Sequence, residues 1–138
     1  MMRILLLIAA LVTASPAFAH QSPWQRVCRI SQGIHLVLNV QDPVNELPLC
    51  FYGNSAVGSE SLFNLKTGAG KSLALNAYER GGSDCTPAGG VLVEGVLSPE
   101  GFTYTVCKFS DNSLIEEGTL VRGIHHPANQ ALDRALEN

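Results

Sequence analysis

Cys28-x4-Gly33-Ile34-His35-Leu36 runs on to Leu49-Cys50-Phe51-Tyr52, and Cys85-x4-Gly90-Val91-Leu92-Val93 runs on to Val106-Cys107-Lys108-Phe109. The chain is written twice. Each cysteine pair is 22 residues apart, and Cys85 follows Cys28 by 57. Four cysteines allow three connectivities. The duplication favours Cys28–Cys50 and Cys85–Cys107, because each repeat then staples itself. A loop of this length is stabilised by about 3 kcal/mol in the chain-entropy view. A half of this size has a marginal core and gains from such a staple.

Working outward, the first nineteen residues read as a secretory signal peptide. Arg3 gives the positive n-region, Ile4 to Val12 the apolar stretch, and Ala17-Phe18-Ala19 the cleavage site. The apolar stretch is shorter than the roughly 20 residues a spanning helix needs. No cysteine at the cleavage site suggests a lipid anchor. The reading places the protein in the periplasm or outside the cell, with no membrane span. Export makes an even cysteine count a disulfide signal rather than a zinc signal, and no Cys-x2-Cys or His-x3-His spacing argues otherwise.

A mature chain starting at His20 keeps eight basic and twelve acidic residues. There is no basic run, which argues against nucleic acid and against anionic lipid as partners.

Local patterns fill in the repeats. Ser22-Pro23 opens a helix as N-cap and first helical residue, with Trp24, Val27, Cys28 and Ser31 on one face and Gly33 as its stop. Ile34 to Val40 alternates as a strand, Asp42-Pro43-Val44-Asn45 turns, and Leu47 to Tyr52 returns. Pro48 requires an edge or a bulge in that strand. Ala56 to Leu65 is expected as a third strand.

Ser72 to Arg80 fits a helix capped by Ser72 or a short strand. In the second copy, Val91 to Leu97 is a strand interrupted by Gly95. Ser98-Pro99-Glu100-Gly101 fits a type I turn. Phe102 to Phe109 and Leu114 to Arg122 complete the meander. A last helix starts at His126-Pro127, with Ala128, Ala131, Leu132, Ala135 and Leu136 as its apolar stripe.

The expected class is therefore α+β: two small antiparallel three-stranded meander modules with flanking helices and one disulfide each. The divisions are signal peptide 1–19, first repeat 20–66, linker 67–84, and second repeat with a C-terminal helix 85–138.

Cys85-x3-Gly89-Gly90, Gly101, Cys107-x-Phe109-x-Asp111-Asn112-Ser113-x-Ile115-Glu116-Glu117-x-x-Leu120-x-Arg122-Gly123 resembles a family of small bacterial envelope proteins. That family carries a domain of unknown function under the label of hemolysin. The first copy is similar but more diverged, with Asn54, Ser55 and Leu62 matching Asn112, Ser113 and Leu120 after a one-residue gap. Gly118 stands where the family has tryptophan, and Asn112 where it has glycine. The resemblance implies an exported module with paired cysteines and no defined chemistry.

Candidate chemistry is sparse. Glu116-Glu117 on a strand point to opposite faces and cannot share a substrate; pairing with Arg122 is the simpler role. A mature N-terminal His20 could chelate copper with His125 and His126, although His125-His126-Pro127 also reads as a helix start. Gly68-x-Gly70-Lys71-Ser72 has only part of a phosphate-loop pattern and reads as linker. No nucleophile motif occurs, and the cysteines are spoken for.

The expectation is a non-catalytic binding or inhibitory module of the envelope, with no cofactor. Its partner would be an envelope or secreted protein such as a hydrolase, met by the turns Asp42–Glu46 and Ser98–Gly101. The alternative is a periplasmic copper-binding protein using His20.

Overall fold

A computed structural model describes residues 22–40 and 46–137 of the chain. Among them lie six strands and five α-helices. The first repeat runs α1 (Pro23–Ile30), β1 (Ile34–Val40), β2 (Glu46–Tyr52), β3 (Ser55–Gly58) and α2 (Ser59–Lys66). Next comes α3 (Leu73–Glu79), within the stretch read as linker. Then follow β4 (Val91–Leu97), β5 (Thr103–Lys108), β6 (Leu114–Glu116) and α4 (Glu117–Arg122). A 3-10 turn, Pro127–Asn129, leads into α5 (Gln130–Glu137).

The expected pair of separate meanders is not what forms. The strands close into one antiparallel barrel in the order β1-β2-β3-β6-β5-β4. Val57 pairs with Ile115 where β3 meets β6, and Asn39 and Val40 pair with Leu97 and Val96 where β1 meets β4. Each isolated meander would have exposed two strand edges. Joining like edges removes them, and closure is the complete solution to that liability. The periodicity predicted most of the strands, but pairing between repeats carries no local signal.

The third strand of each repeat is also shorter than expected. The chain leaves β3 at Gly58 and β6 at Glu116, each in extended backbone, and enters a helix. Glu60 and Glu117 in the first turns favour that start, since a negative charge suits a helix N-terminus. The segment Ser72 to Arg80 takes its helical alternative. The final helix begins as a 3-10 turn, and its buried stripe reduces to Leu132 and Ala135 with Leu136 beside them.

Alternation sorts the strand residues into two cores. Leu38, Leu47, Leu49, Phe51, Ala56, Val96, Val106 and Leu114 fill the barrel, where Phe51 and Tyr104 pack with ring centroids 5.2 Å apart. The opposite faces present Cys50, Tyr52, Val57, Cys107 and Ile115 to Leu62, Leu75, Tyr78, Leu120 and Leu132 of the helices. Pro48 is accommodated because β3 ends at Gly58 opposite Leu49, so Pro48 has no ladder partner on that side. Gly95, at φ 66°, marks the bulge between Val93 and Val96.

Cys28 bonds Cys50 and Cys85 bonds Cys107, each tying a helical turn to the outer face of the barrel. Paired cysteines of this kind belong to an oxidising compartment. Among the described residues no helix is long and apolar enough to cross a membrane.

Candidate functional site

The motif residues that carry the family resemblance mostly build internal structure. Asp111 accepts from the Leu73 amide at 2.9 Å and from the Ser113 amide at 3.0 Å. Ser113 Oγ accepts from the Ala74 amide at 3.0 Å, and Ser72 Oγ from the Leu75 amide at 3.3 Å. The first three amides of α3 are thereby capped, two of them from the β5–β6 turn. Burial pulls the Asp111 carboxyl upward, but the bonds from Leu73 and Ser113 outweigh it and hold the group below its ordinary range. Lys71 pairs with Glu79 at 2.6 Å. The Gly68–Ser72 stretch thus leads into a helix end with no amide left for a phosphate.

Glu116 ends β6 and caps α4. Its carboxylate accepts from the Gly118 amide at 2.6 Å, the Thr119 amide at 2.9 Å and Thr119 Oγ1 at 2.9 Å, with Arg122 at 3.9 Å. Glu117 begins the helix rather than continuing the strand, which corrects the expected geometry of the pair. Thr119 Oγ1 also accepts from the Ala56 amide at 3.0 Å, joining the repeats.

Asn129 is fully buried at the centre of this system. Its side chain donates to the carbonyls of Thr119 at 3.1 Å and Gly123 at 2.9 Å. It accepts from Ser55 Oγ at 2.6 Å and Arg122 Nε at 3.3 Å. The Tyr78 hydroxyl donates to Asp133, whose other oxygen takes the His125 amide at 3.0 Å. Burial, then the Asp133 bond, pushes the Tyr78 hydroxyl well above the ordinary phenol range. Among the described residues no buried side-chain polar atom is left without a partner. This is a locking network, and a network satisfied throughout specifies one packing.

Of the copper candidates, His20 lies outside the described residues. His126 Nδ1 accepts from the Ala128 amide at 3.0 Å as the cap of the 3-10 turn, so that nitrogen is engaged. His125 is exposed with φ 70°. Among the described residues no group of three or more His, Cys, Asp or Glu is placed to hold a metal. His35 Nδ1 sits 2.8 Å from Ser59 Oγ. Ser59 is fully buried, and among the described residues no carboxylate bonds the ring, so the pair tethers β1 to α2.

Two turns and two clefts remain. The turn Asp42–Glu46 lies outside the described residues apart from Glu46. The turn Ser98–Gly101 is closed by Gly101 N to Ser98 O at 2.9 Å and Ser98 N to Phe102 O at 2.9 Å. The Phe102 amide adds a bond to Ser98 Oγ at 3.1 Å. Phe102, at the end of this turn, is 64% exposed. Sequence reading placed Phe102 in a strand and missed it as a presented side chain.

One cleft of about 480 Å³ lies among α1, α2, β2 and the β5–β6 turn, with Trp24 and Asn64 in its wall. A second cleft of about 490 Å³ lies between α1 and α5, lined by Val27, Ile30, Tyr52 and Ala135.

Compared with protein-family models, curated proteins and solved structures, the chain finds no match in any of the three.

Proposed function

We propose that this protein is an exported, non-catalytic binding module of the bacterial envelope that presents the Ser98–Phe102 turn to a protein partner. The observation that carries the reading is Phe102, a large apolar side chain held out in solvent by a turn with three hydrogen bonds. A pre-ordered aromatic anchor loses little entropy on binding, and such residues dominate interface energies. The disulfides and the N-terminal apolar stretch support export. The resemblance to small envelope proteins supports the same compartment. A secreted or envelope hydrolase is the partner class that a protruding rigid loop fits.

The test is capture from an envelope extract by immobilised mature protein, run beside Phe102→Ser. A partner retained by the native protein and lost by the variant supports the reading. Identical capture by both would remove the turn from it. Inhibition of a purified hydrolase by native protein, and not by the variant, would establish the inhibitory form.

A further inference from the structure

The cleft beside Trp24 combines features that point to a ligand. Its volume, about 480 Å³, falls within the range of small-molecule sites. Trp24 stands one helical turn before Cys28, so the disulfide that pins Cys28 to β2 also holds the backbone that carries the indole. Ser22 caps the helix through the Gln25 amide at 3.2 Å, and Pro23 sets its first residue. The aromatic surface is therefore pre-positioned. In the same lining, Glu60 and Asn64 lie four residues apart on α2 and share one face. Lys108 and Asn112 complete the polar wall. Asn112 is held at φ 65°, a conformation uncommon for a residue with a side chain.

The charges decide the ligand class. Asp111 is occupied with the α3 amides and Lys71 with Glu79. Glu46, Glu60 and Lys108 remain, so neither sign dominates the wall. An apolar platform beside two carboxylates, an ammonium and two amides suits a molecule with one apolar face and a rim of hydroxyl and amide groups.

We propose that this cleft binds an N-acetylated saccharide, its ring lying on Trp24 and its hydroxyl and acetamido groups bonded by Glu60, Asn64, Lys108 and Asn112. Lys108, in the wall of the cleft with Trp24, closes β5, and Thr103, next to Phe102 in the chain, opens it. The site is separate from the turn assigned to a protein partner.

Trp24 is the one tryptophan of the chain, so emission excited at the red edge of the aromatic band, where the three tyrosines do not absorb, reports this cleft. The probe is chitotriose, a trimer of N-acetylglucosamine, titrated into the full mature protein. Maltotriose, which lacks acetamido groups, runs beside it, as does a disaccharide–peptide fragment of peptidoglycan. The expected result is a saturable change in emission with chitotriose and with the fragment, and none with maltotriose.

Asn64→Ala and Glu60→Ala, both on the helix surface, should each weaken binding about tenfold, the usual worth of a hydrogen bond to such groups. Their circular dichroism should match the native protein, and Phe102→Ser should bind chitotriose normally. No saturable response to chitotriose, a response to the peptide-bearing fragment alone, or unchanged affinity in both α2 variants would each overturn the proposal.

Discussion

Val57 and Ile115 hold the same position in the two repeats, and they face each other across the β3–β6 pair. An approximate two-fold axis passes between them. The same axis exchanges Asn39 with Val96 and Val40 with Leu97, so the pairing Asn39–Leu97 maps onto Val96–Val40. Both seams of the barrel therefore join like to like. A duplicated unit has met its own copy as a symmetric dimer would, inside one chain.

One consequence concerns unfolding. Two separately stapled modules would melt in two transitions, while a shared barrel interior makes neither half stable alone. Calorimetry of the oxidised protein is expected to show one transition, with calorimetric and van't Hoff enthalpies equal. Two resolved transitions would mean that the halves fold on their own.

The helix stop before each β-hairpin yields a second prediction. Gln32 donates its amide to Arg29 O at 3.0 Å and Gly33 to Cys28 O at 2.9 Å, and the second copy repeats this with Gly89 to Thr86 O at 3.0 Å and Gly90 to Cys85 O at 2.9 Å. In this motif the first of the two residues takes positive φ, 68° at Gln32 and 98° at Gly89. The glycine is therefore one position late in the first repeat for backbone purposes. Gln32→Gly should stabilise by about 0.5–1 kcal/mol in urea unfolding.

Gly33 is needed for space instead: a Cβ there would lie 2.3 Å from Cys50 Sγ, and at Gly90 2.2 Å from Cys107 Sγ. Gly33→Ala and Gly90→Ala should each cost about 1–3 kcal/mol. An unchanged midpoint in either alanine variant would contradict the account.

The sequence made much of this legible. Alternation in Ile34–Val40 and Leu47–Phe51 identified the faces that fill the barrel, and the equal cysteine spacings identified the repeat. Ser22-Pro23 announced α1 because capping is a local signal. What stayed hidden was non-local. Asp111 and Ser113 cap a helix some forty positions earlier in the chain, and nothing in the turn reveals its customer. Asn129 falls outside the apolar stripe read for the last helix and gave no local signal, yet it joins Ser55, Thr119, Gly123 and Arg122. Phe102 read as a strand residue because its apolar character says nothing of which side faces water.

Asn129 should prove costly to replace. Asn129→Leu removes four hydrogen bonds at a fully buried position, although Ser55 keeps Ala128 O and the Thr119 and Gly123 carbonyls keep the amides of Gly123 and His126. The loss should be on the order of 3 kcal/mol, the scale of several buried hydrogen bonds removed together. A change below about 1 kcal/mol in denaturant unfolding would show that the network contributes little.

Acid should weaken the fold through His35. Burial, and next the nearby Arg29, lowers its pKa from 6.5. The unfolded chain then binds this proton more readily than the native one. The stabilisation is complete above 6.5 and fades as pH falls through the lower native value. Unfolding free energies at about pH 7.5 and about pH 5.5 should differ less in His35→Gln than in the native protein. An equal decline in both would assign the effect to other groups.

The closed barrel is most directly tested by nuclear Overhauser contacts in isotope-labelled protein. Cross-strand contacts are expected between the backbone protons of Val57 and Ile115, and of Val40 and Val96. Strong contacts within each hairpin, with none across these two seams, would contradict the interlocked barrel.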